Sequence, residues 1–259
     1  MQSVSNQLDT IKRITRIFSG ENKKPSCAAV VLAAGSSVRM GSDKILAKLG
    51  EMPVLARTLR PFQDCDAVSE IVVVTSLEKL NEVTELCREY NIGKVSKVVT
   101  GGKTRAESAL TGVSEVSSKA SLIAIHDGAR PLVTVDLIRR TVEMAAKKNA
   151  AVPAIRSTDT LKTAEENGAI IGTVDRETTW RIQTPQVFKA ELIKGALTRA
   201  MKQGLPLTDD SSAMEILGVT TYLVEGDEEN IKLTKPLDLL LAAAILRDRR
   251  ERNENRTGV

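Results

Sequence analysis

The sequence predicts an α/β domain built on a doubly wound, mainly parallel, Rossmann-like sheet. Short apolar runs, of the length expected for buried strands, alternate along the chain with longer segments whose apolar residues recur at helical spacing. Such alternation is typical of right-handed strand–helix–strand crossovers that cover both faces of a parallel sheet. A linker rich in Pro, Gly or Ser is absent from the sequence, as is any internal repeat, so we expect one domain.

The regular alternation runs from residue 28 to residue 154. We expect strands over residues 28–34, 70–75, 95–100, 121–126 and 150–154. We expect helices between them over residues 53–63, 77–90, 103–117 and 135–148. The predicted strands are rich in Val, Ile or Ala, as expected for strands that are covered by helices.

A polar stretch, residues 156–182, then interrupts the alternation. It is typical of two Thr- and Val-bearing strands around a turn at residues 166–168. Because such a hairpin has too few apolar residues for a core of its own, we expect a projecting β-arm that packs on another subunit. After the arm we expect helices over 189–203 and 210–217, a strand over 220–224, and a last helix over 236–246.

The charge of the chain is concentrated at its ends. The 259 residues include 37 Lys and Arg against 33 Asp and Glu, a formal net charge of +4. The excess lies in a basic N-terminal extension, residues 1–26, and in a charged C-terminal tail, residues 248–259. Aromatic residues are 2% of the chain, too few for a base-stacking surface. With apolar runs well under the roughly 18 residues of a membrane span, we expect neither nucleic-acid nor membrane binding.

Cysteine and histidine are scarce. Cys27, Cys65 and Cys87 form neither an even disulfide set nor a CxxC pair, and a single His disfavours a zinc site. The N-terminus lacks the charged start and apolar stretch of a secretory signal. We therefore expect a reducing, cytoplasmic location.

The loop after the first strand has the composition of a polyphosphate cradle. Its small residues are Ala33, Ala34, Gly35 and Ser36. They let main-chain amides approach a ligand, while Arg39 and Lys44 supply permanent cations. The spacing excludes a P-loop, which needs Gly-Lys where Met40-Gly41 stand, and a dinucleotide fingerprint, which needs Gly at Ser37. An ordinary glycine turn with solvated cations is the alternative.

Two further loops follow predicted strands. Gly101-Gly102 stand at a helix start with Ser108 one turn on, a pattern that can bind an anion or a base edge, or can simply cap the helix. Asp127 ends the fourth predicted strand, where a carboxylate suits Mg²⁺ or ribose, or a structural pair with Arg130. Without a GxSxG elbow, the one His, His126, is interpreted as structural.

In their order and spacing these loops resemble the 2-C-methyl-D-erythritol 4-phosphate cytidylyltransferase family of isoprenoid biosynthesis. The resemblance runs over about residues 28–246, so that residues 27–247 are expected to form the nucleotidyltransferase domain. The shared segments are Leu32 to Gly35 with Arg39, Met40 and Lys44; Gly101-Gly102 with Arg105 and Ser108; His126 to Pro131; Asp159-Thr160; Thr173 to Arg176; Gln183 to Phe188; Thr208 to Asp210; and Glu225-Gly226 before Asn230 to Lys232.

The resemblance implies a reaction in the non-mevalonate pathway. CTP and 2-C-methyl-D-erythritol 4-phosphate would give 4-diphosphocytidyl-2-C-methyl-D-erythritol and pyrophosphate, with Mg²⁺ or another divalent cation on Asp127. Arg39 and Lys44 would stabilise the transition state, and Arg176 and Lys232 would position the attacking phosphate.

The resemblance also implies binding residues and a homodimer. The nucleotide would be bound by Ala33, Ala34, Gly35, Ser36, Gly101, Gly102, Arg105, Ser108, Asp127 and Gly128. The remaining substrate contacts would come from Thr160, Thr184 and Thr208. Thr160 and Arg176 lie on the arm, which in this family reaches across a dimer to the partner's site.

Two alternatives stay open. A ribitol 5-phosphate cytidylyltransferase would share the scaffold, and a noncatalytic nucleotide-binding protein would keep the glycines without needing Arg39, Lys44 and Lys232. The chain also departs from the family pattern around Lys44, because Asp43 and Ile45 stand where many relatives have Pro and Gln.

Overall fold

The computed structural model describes residues 26–35 and 44–257, with side chains to residue 255. The predicted α/β class is confirmed. The strands are β1 Cys27–Leu32, β2 Lys48–Leu49, β3 Met52–Pro53, β4 Val68–Thr75, β5 Val95–Thr100, β6 Leu122–Asp127, β7 Ala150–Arg156, β8 Lys162–Ala164, β9 Ile170–Thr173, β10 Trp180–Ile182, β11 Gln186–Lys189 and β12 Tyr222–Glu225. The basic N-terminal extension lies outside the described residues except for Ser26.

Helices cover both faces of the main sheet. They are α1 Val54–Asp64, α2 Leu80–Glu89, α3 Arg105–Glu115, α4 Val135–Lys148, α5 Ala190–Gln203, α6 Asp210–Ile216 and α7 Pro236–Thr257. Alternate residues of β1 point to opposite faces: Ala29 and Val31 pack in the core under α1, α2 and α4, while Ala28 and Val30 pack in the core under α3 and α5. This burial on both faces explains why the strand is continuously apolar.

Eight strands form the main sheet, in the order β10-β7-β11-β6-β1-β4-β5, with β12 also paired to β7. The pairs of β1 with β4 and β6, and of β4 with β5, are parallel. Strand β11 lies antiparallel between β6 and β7. Sequence reasoning missed this strand, because its four residues begin and end with Gln186 and Lys189 and lead directly into α5.

The arm is shorter than predicted. Strands β8 and β9 form a separate two-stranded antiparallel sheet. The ends of the predicted arm belong to the main sheet instead, since Trp180 of β10 pairs with Arg156 of β7. Leu161, Ile170 and Ile171 on the hairpin are all exposed apolar side chains.

The last helix is longer than predicted. The apolar pattern ends near Leu246, but α7 continues to Thr257. The charged continuation makes ion pairs along the helix and beyond it: Arg252 contacts Asp248 one turn earlier, at 2.9 Å, and Glu229. Residues 248–257 are therefore the end of a helix rather than a separate tail.

Candidate active site

The predicted ligand loops meet at the carboxyl edge of the parallel strands. Main-chain hydrogen bonds hold each loop to the end of a neighbouring strand: the amide of Ala33 donates to Val74, that of Gly101 to Thr75, and that of Gly128 to Leu32, at 2.6, 2.8 and 2.8 Å. The contact between the first two loops requires glycine at position 101. A Cβ there would lie 2.6 Å from Ser108 Oγ and 2.9 Å from Ala34 Cβ.

A cleft of about 380 Å³ opens at this edge. The predicted site residues that line it are Ala34, Gly35, Lys44, Gly102, Arg105, Ser108, Asp127 and Lys232. Ala33, Gly101 and Gly128 adjoin them in the same loops. Ser36 and Arg39, which were predicted to bind the nucleotide and to stabilise the transition state, lie outside the described residues. Eight side chains and loop positions selected from the sequence are thus brought to one cavity.

The start of α3 is capped by its own side chains. Thr104 Oγ1 accepts from the amide of Glu107, and the Glu107 carboxylate accepts from the amide of Thr104, which together form a capping box. Ser108 Oγ donates to the Thr104 carbonyl, at 3.0 Å, and accepts from the Gly102 amide, at 3.2 Å. The local capping interpretation therefore holds, and it shapes the wall of the cleft.

Asp127 is the centre of a cluster of cations. Its carboxylate lies 2.9 Å from Lys232 Nζ, 3.3 Å from Arg105 Nε and 3.6 Å from Arg130 Nε. Burial alone would raise the pKa of Asp127, but the charges of Arg105, Lys232 and Arg130 outweigh it and hold the pKa well below its usual range. Asp127 is therefore ionised, and the predicted pair with Arg130 is one of three.

Arg105 is held from its far side by Asp210. Two parallel hydrogen bonds, of 2.8 and 2.7 Å, join its guanidinium to the Asp210 carboxylate at the start of α6. Burial would lower the pKa of Arg105, but the carboxylates of Asp210 and Asp127 raise it above its ordinary value, so the group stays charged. Sequence reasoning quoted Asp210 as part of a motif but did not assign it to the site.

His126 has a structural place beneath the cleft. Thr184 Oγ1 accepts from the Asp127 amide, at 3.1 Å, and lies 2.9 Å from His126 Nδ1. Because the Arg130 carbonyl can only accept, His126 Nε2 carries the ring proton and donates to it, at 3.3 Å, and Nδ1 of the neutral ring accepts from the Thr184 hydroxyl. Burial lowers the pKa of His126 to about 3, so the ring is neutral.

The loop that carries Lys232 is fixed to the loop after Asp127. Arg130 donates to the Asn230 carbonyl, at 2.7 Å, and the Leu233 amide donates to the Ala129 carbonyl, at 2.8 Å. The buried Asn230 side chain donates to the Thr184 carbonyl, at 2.9 Å. These contacts fix Lys232 next to Asp127. Sequence reasoning predicted the pair of Arg130 with Asp127, but it missed the contacts by which Arg130 and Asn230 hold this loop, although the motifs that it quoted contain both residues.

Four predicted substrate residues do not line the cleft. Thr184 is buried below it. Thr208 is exposed, and its hydroxyl lies 2.9 Å from Ser212 Oγ. Thr160 and Arg176 are exposed on the arm, which leaves the main sheet after β7. Within the described ranges, these residues are not brought to the cavity of their own chain.

Two features are absent from the described residues. None of their helices is both long and apolar enough to cross a membrane. In the same part of the chain, three or more metal-ligating side chains of His, Cys, Asp or Glu do not come together. Asp127 is the one carboxylate among the described residues that line the cleft.

The fold and this cation-lined cleft define a nucleotidyltransferase of the doubly wound α/β class. Comparison with protein families matches residues 27–248 to the family described as IspD, 2-C-methyl-D-erythritol 4-phosphate cytidylyltransferase. The chain belongs to this family.

Curated relatives and solved structures agree with that assignment. The 2-C-methyl-D-erythritol 4-phosphate cytidylyltransferase of Halalkalibacterium halodurans is 42% identical, over 87% of this chain and 99% of its own length. That of Caldanaerobacter subterraneus is 41% identical, over 85% and 98%. The crystal structure of the 4-diphosphocytidyl-2C-methyl-D-erythritol synthase from Anaerococcus prevotii matches with a TM-score of 0.77 at 27% identity, over 87% of this chain and all of that one.

Proposed function

We propose that this protein transfers CMP from CTP to 2-C-methyl-D-erythritol 4-phosphate, releasing pyrophosphate, as a cytidylyltransferase of isoprenoid precursor synthesis. The observation that carries the proposal is the convergence of Lys44, Arg105 and Lys232 on one cleft at the carboxyl edge of the sheet, in a chain that matches the family along nearly its whole core. Glycine loops beside these cations leave room for a triphosphate.

The acceptor needs no general base in this site. A phosphate monoester has a second pKa of about 6 and is mostly a dianion at neutral pH. Its oxygen attacks the α-phosphorus of CTP, the bond from that phosphorus to the bridging oxygen breaks, and the electron pair leaves with pyrophosphate. The residues fit this route: His126 is buried and neutral, and the lowered pKa of Asp127 makes it a poor base.

Electrostatic stabilisation is then the task of the protein. Two anions must approach, and negative charge grows on the leaving pyrophosphate. We assign Lys44 and Arg39 to this charge and Lys232 to the attacking phosphate. The removal of one such donor typically lowers turnover by about 10²- to 10³-fold.

We assign a divalent cation, Mg²⁺ or another, to Asp127. The donor set fits such an ion, because Mg²⁺ takes one or two protein carboxylates and completes its shell with substrate phosphates and water. Asp127 is ionised and reaches the cleft, and it would hold the ion there. Bound in this place, the cation would act as a Lewis acid on the phosphates.

We further propose that the arm completes the acceptor site of a second subunit in a homodimer. Thr160 and Arg176 lie apart from the cleft of their own chain, and Leu161, Ile170 and Ile171 expose apolar surface on the same arm. Thr184 and Thr208 remain proposed substrate residues. A cytoplasmic location is part of the proposal, and it agrees with three buried, free cysteines.

Pyrophosphate release measures the proposed reaction directly. Purified protein would be supplied with CTP, Mg²⁺ and either 2-C-methyl-D-erythritol 4-phosphate or ribitol 5-phosphate, with CTP alone as the control. We expect release with the methylerythritol acceptor only. Turnover with ribitol 5-phosphate alone would assign the sister activity, and no turnover with either acceptor would refute the proposed function.

A further inference from the structure

We infer that Arg249, in the charged extension of α7, is a positioning residue for Lys232. The inference rests on the role proposed above for Lys232, and it adds a residue that lies just beyond the segment matched to the family, residues 27–248. It explains what the helical extension does near the site, which neither composition nor the family resemblance assigned.

One guanidinium joins the two loops that hold the Asp127–Lys232 pair. Arg249 donates to the Leu132 carbonyl, at 3.0 Å, in the loop after β6. The same side chain contacts Glu229, and lies 3.5 Å from the Asp227 carboxylate, in the loop that leads to Lys232. Its side chain is 23% exposed, so these contacts are partly shielded from water and salt.

The two carboxylates that Arg249 contacts, Asp227 and Glu229, are themselves held in place. Asp227 exchanges two hydrogen bonds with the Gln183 side chain, of 2.7 and 3.2 Å, and its carboxylate accepts from the Glu229 amide, at 2.8 Å. Arg252 binds the second oxygen of Glu229, at 2.6 Å. The hydrogen bonds to the arginines hold the pKa of Glu229 below its usual value against the opposing effect of burial. The Glu229 carboxylate is therefore ionised and held in place three residues before Lys232.

The distance between the two loops sets where the Lys232 ammonium lies. Lys232 reaches Asp127 at 2.9 Å from one loop, and Asp127 begins the other. If Arg249 is removed, Leu132 and Glu229 lose their common partner. The loops then keep the hydrogen bonds of Arg130 and Leu233 between them but lose the contact at their outer side, so they can shift relative to each other. Since an error of about 1 Å in the position of a reacting group can cost up to about 10²-fold in rate, we expect about a tenfold loss in kcat/KM for the acceptor.

Steady-state kinetics of Arg249→Ala test the inference, with Arg250→Ala as the matched control. Arg250 is the next residue on the same helix and is exposed, and its replacement by Ala removes the same charge. We expect Arg249→Ala to raise the KM for 2-C-methyl-D-erythritol 4-phosphate about tenfold, with less than a twofold change in the KM for CTP. Arg249→Lys should recover part of the loss, and Arg250→Ala should behave as the wild type.

A double-mutant cycle separates positioning from stability. If Arg249 acts through Lys232, Arg249→Ala should add little to the defect of Lys232→Ala, whereas independent effects would multiply. Should Arg249→Ala fail to fold, Glu229→Gln removes the partner charge instead, and the same pattern is expected. An acceptor KM equal to that of Arg250→Ala, or a full multiplicative effect in the cycle, would overturn the inference.

The same data distinguish this inference from the proposed function. If Lys232→Ala itself leaves the acceptor KM and kcat unchanged, the assignment of Lys232 fails and the positioning role fails with it. If Lys232→Ala is impaired while Arg249→Ala is not, only the positioning role is refuted.

Discussion

Replacing Asp210 by Asn tests the buried ion pair behind the cleft. The carboxylate makes two charged hydrogen bonds to Arg105, and its side chain is 1% exposed. In Asp210→Asn the amide can accept only one of them, and its NH₂ group faces a guanidinium donor. Removing one partner of a buried pair costs about 3–5 kcal/mol. Arg105 is 32% exposed and keeps Asp127 at 3.3 Å, so we expect the lower end of that range.

Urea unfolding followed by circular dichroism would measure this loss, with Asp136→Asn as the control. Asp136 also pairs with an arginine, through one hydrogen bond of 2.7 Å from Arg140, but its side chain is 61% exposed, so its replacement should cost less than about 1 kcal/mol. We also expect kcat/KM for CTP to fall about tenfold in Asp210→Asn alone, because Arg105 loses its orientation. Equal unfolding free energies in the two variants would refute the assignment of Asp210 as the anchor of Arg105.

Three further predictions concern the cleft, the arm and the buried histidine. Lys44→Ala should lower kcat at least about a hundredfold in the pyrophosphate assay without changing the melting temperature; a loss below threefold would contradict its role. Arg176→Ala should mainly raise the KM for the acceptor, and a defect confined to CTP would reassign it. Burial lowers the pKa of His126 from 6.5 to about 3. Between pH 6.5 and pH 3, the unfolded chain therefore binds a proton at this residue that the folded chain does not bind. Folding stability should therefore fall below pH 6.5, by about 2 kcal/mol at pH 5 from this residue, and urea titrations of His126→Asn should show a shallower acid slope.

The place of the site could be predicted from the sequence because it depends on topology alone. Ala34, Gly102 and Asp127 each lie at or just after the carboxyl end of a strand that periodicity identifies, and the carboxyl ends of parallel strands share one edge of a sheet. No knowledge of side-chain packing is needed to bring these loops together. The strand pattern could therefore locate the cleft, whereas Arg105 and Lys232 were assigned to it through the resemblance to a known family.

Pairings between distant elements could not be predicted in the same way. Arg105 and Asp210 are 105 positions apart, and the neighbouring Asp209 has an equally good claim from the sequence. The structure separates them: Asp209 caps α6 by accepting from the Ser212 amide, while Asp210 points to Arg105. A shift of one position along the chain decides which of the two carboxylates faces the guanidinium. Composition does not reveal how two distant elements are turned toward each other.

The end of α7 was missed for a related reason. Helical periodicity identifies a face buried in a core, and the apolar face of α7 stops near Leu246. Beyond it the helix is held by charge, through Arg249 and Arg252 on Asp227 and Glu229. Such contacts give no periodic pattern in the sequence, because one or two arginines at the correct turn are sufficient to hold the helix.

The cluster around Asp127 indicates how a substrate anion could be accepted without building a site of bare positive charge. Lys232 and Arg105 both lie against the same carboxylate, which keeps them in place and limits their mutual repulsion. A divalent cation held by Asp127 would supply Lewis-acid chemistry to the phosphates, and the Lys232 ammonium beside it would bind the phosphate of the acceptor. The residues that fix both loops, Arg130, Asn230 and Arg249, therefore determine where this ammonium lies relative to the substrate.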